Sequence, residues 1–428
     1  MDVLDATGIL LILAAAFGLV NYHVFKLPFA IGLLVSGLLA SFGVILVDEV
    51  MPALGLQGHV RDAVQGFNFA DTVLSGMLSV LLFAGALHTD LSRLRRRRRA
   101  IILLASAGIV ISTVVSGGLS YLVFKACGIE VDAIWCFAFG ALISPTDPIA
   151  VLGIMKTANA PPDLETKVVG ESLFNDGTGV VLFTLLTGIG VASASGVPDA
   201  HQDATSAGNV AILVSKEILG GVGLGLAFGW LGSWMLRKID EANLEILVSV
   251  AVVFAISLTA HKFHFSAPLA AVAAGLFIGQ RGRSDMSEHT AHAHHTVWTF
   301  LDETLNAVLF LLIGLVVFAI DTRISYLYAG IIAVPAVLLA RLVGVAAPVL
   351  LLHLREDIGR GTIRVLTWGG LKGGVSVALA MKLPEFPGRN AILTATYIIV
   401  VFSIIVQGLT LGRLIRFLYP VPKTDAAS

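Results

Sequence analysis

Apolar runs of about 20 residues, the length that crosses a hydrocarbon core, recur along this chain almost from end to end, with only short polar stretches between them. Their windows place thirteen predicted spans at roughly 6–25, 28–47, 71–88, 100–124, 131–155, 168–190, 208–236, 242–261, 264–280, 298–320, 325–353, 362–382 and 391–416. The pattern predicts an all-α integral membrane protein of about 13 transmembrane helices, organised as a single membrane domain over residues 1–428.

An odd number of spans puts the termini on opposite sides. Most of the Lys and Arg residues fall in loops after odd-numbered spans and in the C-terminal tail, and such residues are retained in the cytoplasm. The C-terminus is therefore expected to be cytoplasmic and the N-terminus on the outer face of the cell membrane. The densest basic stretch, Arg93 with Arg95 to Arg99, reads as a topology determinant rather than a lipid-headgroup site. Asp2 and Asp5 precede the first span where a signal peptide would be basic, and no small-residue cleavage site follows, so this span is expected to be retained.

Composition narrows the classes further. The chain of 428 residues is 56% hydrophobic and 13% charged, against about a quarter charged in soluble domains. A net charge of −1 gives no electrostatic footprint for nucleic acid, so the lipid bilayer is the expected surrounding. Cys127 and Cys136 fit no metal or disulfide spacing and read as packing residues. Gly221, Gly225 and Gly229 are spaced four apart in an apolar helix without a flanking strand, the pattern of close helix packing rather than a nucleotide loop. After the ninth span, His289, His292, His294 and His295 lie near Asp285 and Glu288. They have the chemistry of a metal site or a pH sensor, but the polar setting favours a solvated loop.

Ionisable groups inside spans are costly and mark function by default. In Ser144-Pro145-Thr146-Asp147-Pro148 two prolines remove amide donors, so the fifth span must break there and leave carbonyls near Ala141 and Ser144 without helical partners. Broken backbone at membrane depth lines cavities and offers oxygens to cations. In the sixth span Glu171, Ser172, Asn175 and Asp176 form one polar stripe, with Asp176 about 12 Å in at 1.5 Å per residue. A carboxylate stripped of water there can hold a proton or a desolvated cation, and competition between the two is all that obligatory exchange requires. Oxygens from Asp147, Asp176, Ser172 and a freed carbonyl suit a hard cation such as Na⁺.

A second break is expected at Trp368-Gly369-Gly370-Leu371-Lys372-Gly373-Gly374, where four glycines surround an intramembrane lysine. Divided as six spans, a linker and six spans, the chain has a broken helix fifth in each half. Interrupted helices in matching positions of inverted repeats point to a transport site where they cross near the bilayer midplane. Lys372 either offsets charge on helix-end carbonyls or is simply structural. Arg341, alone in the eleventh span, needs a carboxylate, and Glu171 is the one left over.

Taken in order, GALISPTDPIAVL, GESLFNDGTGVVLF, LNAVLFLLIGL with Asn306, Arg341, and GGLKGGVSVALAMKLP resemble the monovalent cation:proton antiporters of the sodium/proton exchanger type, in their short prokaryotic form, over about residues 6–420. The resemblance implies a homodimer in which core helices (100–190 and 325–417) move in an elevator-like alternation against dimerisation helices (6–88 and 208–320). It implies Asp176 as the essential carrier of H⁺ and of Na⁺ or Li⁺, with Asp147, Ser172 and the Thr146 backbone completing the ion site and Glu171 paired with Arg341. Asn175 before the essential Asp implies electroneutral one-for-one exchange, because electrogenic relatives carry two Asp residues. No cofactor is implied beyond the transported ions. Relatives commonly carry Arg where this chain has Lys372, which leaves that position's role open. A K⁺/H⁺ antiporter of the same fold is the nearest alternative. An intramembrane aspartyl hydrolase lacks its Tyr-Asp and Gly-Asp sequences here, and a channel needs no titrating carrier.

Overall fold

The computed structural model describes residues 3–420 apart from 53–54, 56–57, 59–68, 195–206, 286–287, 322 and 354–360. Among the described residues every regular element is helical. Nine of these helices are long and apolar enough to cross a bilayer, and shorter apolar helices lie between them. In hydrocarbon each backbone donor and acceptor must be satisfied within the protein, and the helix does so locally.

The first elements are α1 (Val3–Val20), α2 (Phe29–Val50) and α3 (Leu78–His88). A basic segment, α4 (Leu91–Arg96) and α5 (Arg98–Leu103), runs through a π turn at Leu104–Gly108 into α6 (Ile109–Ala126). The fifth predicted span is two half-helices, α7 (Ala133–Ile143) and α8 (Pro148–Thr157), followed by the long α9 (Pro162–Ala194). Then come α10 (Ala207–Leu236), α11 (Ala242–Phe263), α12 (Ala267–Asp285), α13 (Glu288–Leu315) and α14 (Ile324–His353). The chain closes with a second pair of half-helices, α15 (Thr362–Trp368) and α16 (Gly374–Met381), and with α17 (Arg389–Phe402), which continues through a π turn at Ser403–Gln407 into α18 (Gly408–Leu418).

Two packing groups flank the site. Helices α6, α7, α9, α14 and α17 pack on one another, and α3 packs with α10, α11, α12 and α13 in a second group, with α2 against α13. Small residues let the backbones meet. A Cβ on Gly225 would strike the Ala270 carbonyl, and one on Gly221 would come within 2.7 Å of the Ser266 carbonyl, so these glycines do serve close packing of α10 on α12. Cys136 is fully buried and both cysteines are free.

Two expectations change. The histidine stretch is not a loop: α13 begins at Glu288 and carries His292, His294 and His295 as helical residues. Packing outweighs their polarity, because His294 is buried beside Trp298, whose indole donates to the Ser249 hydroxyl at 3.0 Å, and the His295 ring meets that of His88 at a tilt, with centroids 4.5 Å apart. The side chains of Asp285, Glu288 and His289 lie outside the described residues. Helix α9 also begins before its apolar window, at Pro162. Asp176 therefore sits about 20 Å along the helix from its start at 1.5 Å per residue, the first turns being the polar Asp163–Lys167 stretch ahead of the apolar window.

Candidate ion site at two crossed helix breaks

Helix α7 ends at Ile143 and α8 starts at Pro148; α15 ends at Trp368 and α16 starts at Gly374. The two gaps cross. The Asp147 amide donates to the Leu371 carbonyl at 2.8 Å. Lys372 reaches the other way, its Nζ donating to the carbonyls of Ser144 at 2.9 Å and Pro145 at 3.2 Å. The Ser144 carbonyl, which Pro148 cannot serve, thus receives its donor from the second break. The π turn after α17 satisfies more of that break: the Ser403 hydroxyl accepts from the Lys372 amide at 2.9 Å, and the Gln407 amide donates to the Trp368 carbonyl at 3.0 Å.

The first break is bound to α9 by a buried polar knot. Both ends of the Asn175 amide are used on Thr146: its Oδ1 accepts from the Thr146 backbone at 3.3 Å and its Nδ2 donates to the Thr146 hydroxyl at 2.8 Å. The Thr146 and Ser172 hydroxyls lie 3.0 Å apart. Thr146, Ser172, Asn175 and Asp176 are all buried, and Asp147 is half-buried. Asp147, Asp176 and Thr146 line a cavity of about 680 Å³ that extends past Asp302 and Asn306 to Asp90 and Arg93, beside the basic stretch. Gly373 lines it too, and a Cβ there would run into the Asp147 carboxyl.

Glu171, one turn before Asn175, points elsewhere. It and Arg341 are both buried and form a two-pronged pair, Nη1 to Oε1 and Nη2 to Oε2, the latter at 2.8 Å. The same guanidinium donates from Nε and Nη2 to the Leu366 carbonyl at 3.3 and 3.1 Å. Arg341 on α14 therefore ties α9 to the last turn of α15, where the break leaves a carbonyl in need of a donor. Its planar fork serves three acceptor oxygens at once, which a lysine cannot do.

Two cavity residues were not singled out as ionisable groups from sequence. Asp302 and Glu303 lie inside the predicted span 298–320, and an intramembrane acidic pair was the available signal.

Two broken helices that cross beside buried carboxylates, on the wall of one large cavity, are the build of a secondary transporter. The chain belongs to the sodium/hydrogen exchanger family: the family model described as "Sodium/hydrogen exchanger, transmembrane" matches residues 9–417. It is similar to the Na⁺/H⁺ antiporter NhaP of Pseudomonas aeruginosa, 42% identical over 435 residues, which cover 99% of this chain and 100% of that protein. It is 32% identical to the Na⁺/H⁺ antiporter NhaH of Halobacillus dabanensis, covering 95% of this chain and 96% of the relative. Its fold is that of the sodium proton antiporter MjNhaP1 of Methanocaldococcus jannaschii, with a TM-score of 0.75 at 19% identity and coverage of 98% and 99%. The protein is an integral membrane transporter of this family and not an enzyme.

Proposed function

We propose that this chain exchanges Na⁺ or Li⁺ for H⁺, one for one, by presenting Asp176 alternately to the two sides of the membrane. The observation that carries this reading is the position of Asp176: buried on α9, on the wall of the cavity, beside the knot of Thr146, Ser172 and Asn175. A carboxylate there has lost most of its water and needs a positive charge. A proton or a small cation can supply it, and the two exclude each other at one carboxylate, so release of one requires arrival of the other. Asp147, the Ser172 hydroxyl and the Thr146 backbone oxygen complete a set of hard oxygen ligands. Asn175 is neutral and spends its amide holding Thr146, which leaves one carboxylate to change its load per cycle.

In this reading the helices of residues 100–190 and 325–417 move as the carrier in an elevator-like step, and those of 6–88 and 208–320 form the dimerisation scaffold of a homodimer. The C-terminus and the basic stretch from Arg93 face the cytoplasm, and so does the mouth of the cavity.

In proteoliposomes, Asp176→Asn abolishes cation-driven proton movement; retained exchange would falsify the assignment. Competition at one carboxylate raises the apparent KM for the cation as pH falls, by up to tenfold per pH unit because the proton concentration itself rises tenfold. An imposed membrane voltage leaves the rate unchanged, and clear voltage dependence would sink the one-for-one claim. Dequenching of a pH-sensitive dye by Na⁺, Li⁺ and K⁺ from pH 6 to 9 separates sodium exchange from the potassium alternative.

A further inference from the structure

The α13 wall of the cavity carries oxygen groups that the exchange chemistry above leaves unused. His295, Thr299, Asp302 and Asn306 recur every three or four residues along α13 and all line the cavity, forming one polar stripe that runs along it. Near the inner end of that stripe Asn306 donates from Nδ2 to the backbone carbonyl of Asp302 at 2.7 Å and to its carboxylate at 3.1 Å. These two acceptors set the amide orientation, since a flipped amide would place oxygen against oxygen. The Asn306 Oδ1 that results is buried and has no hydrogen-bond partner among the described residues, in a residue only 5% exposed. The half-buried Asp302 carboxylate lies beside it, one turn back.

A buried acceptor without a donor, next to a carboxylate in a cavity that serves cation exchange, calls for a positively charged or donating guest. We propose that Asp302 and Asn306 form a second cation site in the cavity wall, which a partly hydrated monovalent cation occupies on its way to Asp176. The proposal rests on the reading of the cavity as the ion path. This site is the weaker of the two. Its carboxylate is less buried than Asp176, its second ligand is a neutral amide, and its helix is unbroken, so no backbone carbonyl is released to complete the shell. Its role is to raise the local cation concentration and to exchange part of the hydration shell for protein oxygen before the cation reaches the carrier. That role affects capture and not the turnover of the loaded carrier.

The test is a comparison of KM with maximal rate in proteoliposomes. Asp302→Asn raises the apparent KM for Na⁺ and for Li⁺ about tenfold, the equivalent of about 1.4 kcal/mol of lost cation binding, with the maximal rate within about twofold. Asp302→Glu, which keeps the charge, restores KM to within about twofold. Asn306→Ala keeps the Asp302 charge and removes only the orphan oxygen; it raises KM in the same direction, and it decides the matter if Asp302→Asn is not monodisperse. Unchanged KM in Asn306→Ala and Asp302→Asn would mean that a water fills the site and would overturn the proposal. A binding readout separates this site from the carrier. In purified Asp176→Asn protein, NaCl still raises the melting temperature relative to choline chloride, and adding Asp302→Asn removes that residual shift. A residual shift that survives Asp302→Asn also overturns it. Should Asp176→Asn keep its exchange activity, the carrier assignment falls, while the KM comparison at Asp302 stands on its own result.

Discussion

At the first break Pro145 and Pro148 remove backbone donors, whereas at the second Gly369, Gly370, Gly373 and Gly374 remove side chains and keep every donor. The proline break is therefore rich in acceptors, and the glycine break has room and a lysine to offer them, while its own carbonyls at Leu366, Trp368 and Leu371 take donors from Arg341, Gln407 and Asp147. Each completes the other: Lys372 fills the carbonyls of Ser144 and Pro145, and the Asp147 amide fills that of Leu371. The missing side chains matter as much as the lysine. At Gly370 a Cβ would press on the Arg341 guanidinium and at Gly373 on the Asp147 carboxyl, so the two charged groups occupy the space that the glycines leave open. An interrupted helix in a membrane thus need not be satisfied by water or by its ion. It can be satisfied by a second interruption of opposite chemistry.

This pairing can be broken at several strengths. The largest loss is expected from removing one partner of Glu171–Arg341, which anchors the half-helix before the glycine break. Glu171→Gln or Arg341→Met alone leaves a buried uncompensated group, a cost of about 3–5 kcal/mol. Folded yield by size-exclusion chromatography falls sharply for each single variant and less than additively for the double one; strictly additive losses would argue against a working pair. Next comes Lys372→Met, which strands two carbonyls at about 1–3 kcal/mol each. It lowers the melting temperature and the exchange rate together, while Lys372→Arg, which keeps a donor and the charge, retains most of both. Gly373→Ala follows, with an overpacking cost of about 1–3 kcal/mol that falls on Asp147; its signature is a loss of exchange out of proportion to the change in melting temperature. The smallest effect is a partial rescue. Pro148→Ala in the Lys372→Met background returns an amide that the Ser144 carbonyl can accept, and recovers about 0.5–1.5 kcal/mol of stability. No recovery would show that the carbonyl is not the group Lys372 serves.

Much of this was legible in the chain itself. The apolar windows mark where helices lie, and the positions of Pro145, Pro148 and the four glycines mark where two of them fail. The stripe of Glu171, Ser172, Asn175 and Asp176 follows from helical spacing alone. Other features were not legible, for physical reasons that differ. The histidines before Trp298 look like loop because their polarity is a local signal, while the partners that hold this turn in place, Ser249 for the Trp298 indole and His88 for the His295 ring, come from other helices. Asn175 reads as a neutral neighbour of the carrier, yet its work is to hold Thr146, 29 positions away. Asp302 looks like an ordinary residue of an apolar span, and Asn306 like no more than part of a motif, until the fold sets both on the cavity that also reaches Asp176.

What the amino-acid sequence determined by itself is the set of helices and the points where their backbone ladder must stop, because apolar length, a proline's missing N–H and a glycine's missing side chain act at their own positions. What only the tertiary structure decided is which stranded acceptor meets which donor. Lys372 and Ser144 are 228 positions apart, and no local rule relates them. Their bond exists because a buried polar group with no water to turn to must find a partner wherever the packing of the helices brings one.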